Sequence, residues 1–159
     1  SYWKTEHTNR TVEPIAIKES QNRWYLVGFD VIKNEVRNFG LDRIANLEIT
    51  SAKFKPKKID IAKLYTNAVG IETYEPATKV VLKFDESQSQ YIKSLPLHHS
   101  QVVVEDTSDF CIVALFVHPT FDFILELLKY GELVEVLEPK DLRIQLKERL
   151  EKAAKLYIE

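Results

Sequence analysis

Short β-rich runs separated by turn-forming residues fill the first third of the chain. The breaks between them hold residues typical of tight turns: Thr8-Asn9, Ser20-Gln21-Asn22 and Lys33-Asn34. β-branched and aromatic residues within the runs predict five short strands, at Tyr2 to His7, Thr11 to Lys18, Trp24 to Asp30, Glu35 to Gly40 and Ile44 to Thr50. A flat sheet this small exposes unpaired edges, and closing it on itself removes them, so the pattern favours a small closed barrel.

The composition changes after Thr50. Residues 51–58 are basic and contain Pro56, which is typical of a linker, and the apolar residues that follow predict a short helix. Gly70 is expected to end that helix, because glycine readily adopts the left-handed conformation found beyond helix ends. We therefore predict a first domain at residues 1–52, a linker with a short helix at 53–78 and a second domain at 79–159.

The second domain alternates between strands and helices. The predicted order is strand Val80 to Phe84, helix Ser87 to Ser94, strand Gln101 to Glu105, strand Phe110 to Val117, helix Thr120 to Tyr130, strand Leu133 to Leu137 and a final helix from Pro139. This βαββαβ order matches the ferredoxin-like arrangement, in which right-handed crossovers pack both helices on one sheet face. The expected fold class is α+β, a small β-barrel followed by a ferredoxin-like domain with a terminal helix.

The terminal helix carries one apolar stripe at three- and four-residue spacing, formed by Leu142, Leu146, Leu150, Ala153 and Tyr157. Such a stripe packs either on the helix's own domain or against a second copy of the chain. The spacing is the same in both cases, so both remain open.

Composition limits the classes of function. Hydrophobic residues make up 45% and charged residues 29% of the chain, which is ordinary for a globular protein with a packed core. The longest apolar run, Phe110 to Val117, is too short for a membrane helix and no leader opens the chain, so we expect a cytoplasmic protein without membrane contact. The net charge of −2 indicates no broad basic surface, and any nucleic-acid site must be local.

No pattern of catalytic or metal-binding residues is found. The four glycines are scattered, so no phosphate-binding loop is predicted. Adjacent His98 and His99 would point to opposite sides of an extended segment, and no cysteine or paired carboxylate completes a metal site. The single cysteine, Cys111, has apolar neighbours and is expected to be buried in a strand. We predict no enzyme activity, no metal and no cofactor.

Three ordered motifs carry a family resemblance. The chain reads Arg23-Trp24-Tyr25-Leu26-Val27-Gly28-Phe29-Asp30, followed by Val36-Arg37-Asn38-Phe39-Gly40-Leu41-Asp42-Arg43-Ile44, and upstream stands Arg10-Thr11-Val12-Glu13-Pro14. Together these motifs resemble a WYL domain of bacterial transcription regulators. The segment YGELVEVLEP and the following LR resemble the end of the extension, here called WCX-type, that commonly follows WYL domains.

The resemblance implies a barrel related to Sm and SH3 folds, with a pocket for a nucleic-acid-derived or other anionic effector. Arg37 and Arg43 match the arginines associated with that pocket, and Tyr25 lies beside them. Lys4 and Arg10 complete the set of candidate ligand-binding residues, although many family members carry a small hydroxyl residue at the position of Lys4. Gly40 is a second departure from the family pattern.

The residues alone also permit a structural interpretation. Arg43 would then pair with Asp42 or Glu48, Arg37 would be a solvated edge charge, and Tyr25 would be a half-buried aromatic. In a strand Trp24 and Leu26 share one face, and we expect both in the core, where a large aromatic side chain contributes most by burial.

The resemblance implies an effector-sensing fragment of a bacterial transcription regulator. Its expected partners are single-stranded nucleic acid or a nucleotide-like effector, a second copy in a homodimer, and DNA through a missing N-terminal helix-turn-helix domain. The chain contains no methionine, and we expect the natural start upstream of Ser1. The linker at residues 51–58 is the expected pivot for signalling. The alternative is an interaction module that assembles a dimer and has no ligand site.

Overall fold

The fold was analysed in a computed structural model, in which residues 8–158 are described. The described residues divide into two compact units, one ending at Lys63 and the other beginning at Leu64. The division lies inside the stretch that the sequence predicts as a linker. Among residues 8–158, no helix has both the length and the apolar character needed to cross a membrane.

The first unit is built on a three-stranded antiparallel sheet. Its strands are β1 (Val12–Ser20), β2 (Arg23–Asp30) and β3 (Glu35–Gly40), arranged in the order β1-β2-β3. Gln21 and Asn22 join β1 to β2 with φ angles of 50° and 61°, and a two-residue turn with two positive φ angles matches the natural twist of a hairpin. Three of the five predicted strands are therefore present.

The described residues do not close a barrel. The predicted strand Tyr2 to His7 lies outside the described residues. The predicted strand Ile44 to Thr50 is wrong, because this segment is irregular and makes no sheet pairing. A 3-10 turn at Leu41–Arg43 ends β3, and Asn46 then adopts a φ of 52°, which interrupts the extended backbone needed for pairing. The observed sheet is open.

The second unit begins near a short helix, α1 (Ile61–Tyr65), which ends five residues before Gly70. A four-stranded antiparallel sheet and three helices follow: β4 (Thr78–Asp85), α2 (Glu86–Ser94), β5 (Val102–Asp106), β6 (Phe110–Val117), α3 (Phe121–Leu128), β7 (Val134–Glu138) and α4 (Lys140–Lys155). The sheet order is β5-β6-β4-β7, and each neighbouring pair is antiparallel. Every predicted element after residue 79 is present, with ends shifted by at most two residues.

One hydrophobic core holds the second unit together. It joins alternate residues of β4 and β6 to residues from three helices and β7: Val80, Leu82, Phe84, Cys111, Val113, Leu115, Val117, Ile92, Phe123, Leu127, Leu142, Leu146, Val134 and Val136. The alternation arises because successive strand residues point to opposite faces, and here only one face meets the helices. Cys111 is fully buried as expected, and burial raises the pKa of its thiol.

The apolar stripe of α4 is only partly covered. Leu142 and Leu146 are buried in the core, and Leu150 packs against it. Ala153 and Tyr157, the last two residues of the predicted stripe, are exposed. The first half of the helix therefore packs on its own unit.

The loop before β4 is attached to the start of α3 by reciprocal hydrogen bonds. Asp122 Oδ2 accepts from the amides of Ile71 and Glu72 at 2.8 and 3.1 Å, and Glu72 Oε2 accepts from the Asp122 amide at 3.2 Å. Gly70 has a φ of 110° and lies so close that a β-carbon would be 2.5 Å from Asp122 Oδ2. Partial burial and the nearby Asp122 carboxylate raise the pKa of Glu72.

His98 forms a second attachment for the same loop. Its Nε2 donates to the Thr66 carbonyl at 2.9 Å, and its Nδ1 accepts from the amide of Ser100 at 3.2 Å. A neutral ring satisfies both contacts, whereas a protonated ring would present a second donor to the Ser100 amide. Burial lowers the pKa of His98, and the neighbouring His99 and His118 lower it further.

Gly28→Ala should lower the free energy of unfolding of the first unit by about 1–3 kcal/mol, the usual cost of overpacking. A β-carbon at this position would overlap Val12 Cγ1 and would lie 3.2 Å from the Glu13 carbonyl oxygen. Trp24 lies in the first unit and Trp3, the other tryptophan of the chain, precedes it in the sequence, so urea denaturation followed by tryptophan fluorescence measures the effect.

Gly40→Ala is the matched control for this measurement. Its β-carbon would meet only the side-chain atoms of Asp42 and Arg43, which have room to rotate. We therefore expect a smaller loss than for Gly28→Ala. Equal losses in the two variants would contradict the close packing of β1 on Gly28.

His98→Gln should reduce the acid sensitivity of the second unit. The unfolded histidine has a pKa near 6.5 and the folded one a lower value, so the stabilising contribution is complete above pH 6.5 and is lost as the pH falls through the folded-state pKa. Glutamine keeps a donor for the Thr66 carbonyl but does not titrate. Far-UV circular dichroism during urea denaturation, at several values between about pH 7.5 and pH 5, measures the difference.

His99→Gln serves as the control, because His99 is an exposed neighbour whose ring centroid lies 4.0 Å from that of His98. It should leave most of the acid sensitivity in place. An unchanged pH slope in His98→Gln would show that the neutral His98 ring is not the responsible group.

Candidate functional site

The sheet of the first unit has two distinct faces, which its register defines. Across the strands Lys18 lies opposite Tyr25, and Tyr25 lies opposite Gly40. Directly paired residues share a face, and residues two apart along a strand share it too. We call one side the Tyr25 face, with Lys18, Tyr25, Val27, Phe29 and Gly40, and the other side the Trp24 face, with Ile17, Trp24, Leu26, Arg37 and Phe39.

The Tyr25 face, rather than the Trp24 face, holds the fully buried apolar residue of the sheet. Val27 has no exposed surface, whereas 56% of Trp24 is exposed and Leu26 is only half-buried. The expectation that Trp24 and Leu26 form the core is therefore wrong. The reason is the strand alternation itself, because Trp24 and Leu26 both lie on the face opposite to that of the buried Val27.

Arg43 is brought to the Tyr25 face by the turn after β3. A β-carbon at Gly40 would lie 2.7 Å from Asp42 Oδ1 and 3.4 Å from Arg43 Nε, so both side chains occupy the space that glycine leaves open. Gly40 itself is opposite Tyr25. The structure thus places Tyr25 and Arg43 at the same end of one sheet face.

Lys18 is a second cation beside Tyr25, because it is the direct β1 partner of that residue. At the same end of the sheet, Arg23 Nη1 donates to Asp42 Oδ2 at 3.1 Å. Sequence reasoning missed Lys18. The signal was present, because a two-residue turn at Gln21 and Asn22 pairs residue 18 with residue 25.

Arg37 lies on the other face. Its β2 partner is Gly28, so it belongs to the Trp24 face, where its guanidinium lies 3.4 Å from the carboxylate of Glu35. Both side chains are exposed, and an exposed pair of this kind contributes little to stability. The structure therefore does not bring Arg37 together with Tyr25 and Arg43.

Of the two remaining candidate residues, Arg10 faces a buried carboxylate and Lys4 is not among the described residues. Arg10 Nη1 lies 3.7 Å from Oδ2 of Asp30, a carboxylate with no exposed surface. Asp30 Oδ1 accepts from the amides of Ile32 and Lys33 and so closes the turn after β2. Arg10 is thus positioned to balance a buried charge.

The end of the linker is attached to the sheet. Lys57 Nζ lies 3.9 Å from the centre of the Phe29 ring and 3.7 Å from Glu13 Oε2. Glu13 and Phe29 are direct partners on β1 and β2. The expected pivot at residues 51–58 is therefore fixed at one point within the first unit.

A cavity of about 320 Å³ opens at the turn end of the sheet, lined by Asn22, Arg23, Trp24, Leu41 and Asp42. Its walls combine two apolar side chains with the Arg23–Asp42 ion pair. Among the residues described, no group of three histidine, cysteine or acidic side chains is placed to hold a metal ion.

Comparisons with known proteins add to this geometry. The WYL domain family model matches residues 1–49, and the WCX domain model matches residues 76–154. A protein of Bacillus subtilis (strain 168), "Uncharacterized HTH-type transcriptional regulator YobV", is 24% identical over 148 residues, which cover 93% of this chain and 47% of that protein. The chain thus spans about half the length of this relative.

Among solved structures, proteasome accessory factor B/C (PafBC) of Arthrobacter aurescens matches 92% of this chain and 22% of its own, with 25% identity and a TM-score of 0.42. The two family models match separate stretches that together span most of the chain, in the order that the sequence motifs predict. The chain thus carries a match to the WYL domain at residues 1–49, followed by a match to the WCX domain at residues 76–154.

Proposed function

We propose that this chain is the effector-sensing part of a bacterial transcription regulator. The WYL and WCX matches support this function, and so does the relative whose name describes an HTH-type transcriptional regulator. The effector is a nucleic-acid or nucleotide-like anion that binds the first unit. DNA binding belongs to a helix-turn-helix domain in a part of the whole protein outside these 159 residues.

The two units have the architecture that this function uses. In our interpretation the three observed strands are part of a small Sm/SH3-like barrel. The second unit is a ferredoxin-like domain, because its elements follow the order β-α-β-β-α-β and its strands are arranged β5-β6-β4-β7. The domains then correspond to residues 1–52 and 79–159, joined by the linker at 53–78.

The anion site lies on the Tyr25 face, where Lys18 and Arg43 flank Tyr25. The observation that carries this assignment is the register of Lys18, Tyr25 and Gly40, with Arg43 beside Gly40. An arginine offers two parallel donors to a phosphate, and a lysine adds a compact positive charge. The Tyr25 ring supplies a surface for stacking or a hydroxyl for hydrogen bonding.

Arg37 and Arg10 contribute less in this proposal. Arg37 is paired with Glu35 on the opposite face, and Arg10 faces the buried carboxylate of Asp30. Removing Arg10 would leave a buried charge unbalanced, so loss of folding would accompany any loss of binding. Arg37 is exposed and is the better test of which face binds the effector.

Signal transmission requires that the effector distinguish two arrangements of the protein. A ligand that binds two states equally well shifts no equilibrium between them. The linker that follows Lys57 is the segment in which such a difference would arise, since Lys57 is attached to the first sheet. The conformation of this linker would then depend on the ligand.

A second candidate function is assembly of a homodimer. Leu156, Tyr157 and Ile158 at the end of α4 are all highly exposed. Exposed apolar residues grouped at one helix end are typical of protein interfaces. Sedimentation velocity of the chain, compared with a Leu156→Ser, Ile158→Ser double variant, tests this function independently of any ligand.

Arg43→Ala should weaken binding of a fluorescein-labelled thymidine hexanucleotide at least about tenfold, or about 1.4 kcal/mol. The reason is the loss of a charged two-point contact with phosphate. Fluorescence anisotropy titration at low salt measures the dissociation constant, and the same titration at rising salt should show a shallower slope for the variant.

Arg37→Ala is the matched control, since it removes the same charge from the opposite face of the same sheet. We expect it to change the affinity less than threefold. A tenfold loss for Arg37→Ala with an unchanged affinity for Arg43→Ala would move the phosphate site to the Trp24 face. Absence of binding by the unaltered chain would contradict the proposed function.

A further inference from the structure

The cavity beside Trp24 has the features of a site for a flat aromatic group. Its volume is about 320 Å³, and its apolar walls are the side chains of Trp24 and Leu41. Trp24 is 56% exposed and Leu41 is also exposed, although both are large and hydrophobic. A concave apolar surface with a few polar groups at its rim is the usual form of a small-ligand site.

The rim of the cavity is polar. Arg23 and Asp42 form an ion pair with a distance of 3.1 Å between Nη1 and Oδ2. Asn22 adds an amide group from the turn between β1 and β2. These side chains offer both donors and acceptors to the edge of a ring that lies on Trp24.

The cavity adjoins the proposed anion site. Asp42 lines the cavity, and its Oδ1 lies 2.7 Å from the position that a β-carbon of Gly40 would take. Arg43 Nε approaches that same position to 3.4 Å. Asp42 thus connects the cavity with Arg43 at the end of the sheet, and a ligand that occupies both passes round this end from Trp24 to the Tyr25 face.

We infer that this cavity holds a nucleobase of the effector, stacked on Trp24 and packed against Leu41, while the phosphate lies at Arg43 and Lys18. This inference rests on the proposed function and adds the place where the base of that ligand binds. Stacking on an aromatic side chain accepts any base, because every base has a planar face. The site therefore selects anions that carry a base over bare phosphate chains.

Three probes test the inference on the full 159-residue chain: a thymidine hexanucleotide, an abasic hexamer with the same sugar-phosphate backbone, and thymidine monophosphate. We expect the thymidine hexamer to bind at least tenfold more tightly than the abasic hexamer. In Trp24→Leu, isothermal titration calorimetry should show the two hexamers binding within threefold of each other. Trp24 is largely exposed, so this variant should keep the fold, which circular dichroism checks.

A direct optical measurement needs no change at the site. In a Trp3→Phe background, Trp24 is the sole tryptophan, because the chain contains only two. Stacking of a base on the indole should quench its fluorescence, whereas the abasic hexamer should leave it unchanged. Quenching by the monophosphate as well as the hexamer would show that a free nucleotide is sufficient for binding. Quenching by the hexamer alone would show that a strand is required. Both results support a base at Trp24.

The outcomes separate this inference from the function on which it rests. Equal affinity for the thymidine and abasic hexamers, with both weakened by Arg43→Ala, would overturn the base site and leave the anion site in place. A preference for bases that persists in Trp24→Leu would also overturn it. Absence of binding by all three probes would overturn the proposed function together with the inference.

Discussion

The turn at Gln21 and Asn22 sets the register on which the first unit depends. Both residues adopt positive φ angles, and the Asn22 amide donates to Glu19 Oε1 at 2.7 Å. With two residues in the turn, each pairing between β1 and β2 follows, including Lys18 with Tyr25. A shift of one residue would exchange the two faces, expose Val27 and separate Lys18 from Tyr25. The core and the candidate site therefore have the same structural origin.

Two glycines, Gly28 and Gly40, provide the space that the packing around this sheet requires. Gly28 lets β1 approach β2 next to the irregularity between Pro14 and Ala16, where a side chain would overlap Val12. Gly40 leaves space on the Tyr25 face that Asp42 and Arg43 occupy. The result is a sheet end with Lys18, Tyr25 and Arg43 on one side and the Trp24 cavity at its edge. Positively charged side chains and an exposed aromatic ring thus lie near one another at this end of the sheet.

The helices and strands of the second unit could be predicted from the sequence because they share one continuous hydrophobic core. Strands β4 and β6 alternate buried and less buried residues along their whole length, and the three following helices complete the same core. Local pattern and tertiary packing agree there, and the element boundaries differ from expectation by only a few residues. In the first unit the local sequence pattern and the tertiary packing agree less well. The segment after Arg43 has apolar residues spaced as in a strand, but its Leu47 and Ile49 are exposed. A 3-10 turn and the left-handed Asn46 decide its path instead.

The sequence by itself determined the order of elements in the second unit, three strands of the first unit, and the order of the WYL and WCX matches. Each of these follows from local spacing or from an ordered motif. Only the tertiary structure decided that Arg37 lies apart from Tyr25 and Arg43, that Trp24 is exposed, and that Arg10 faces Asp30. Strand alternation predicts which residues share a face of the sheet, but it does not predict which of the two faces is buried. That choice depends on what packs against Val27 and Trp24, and the local sequence carries no information about it.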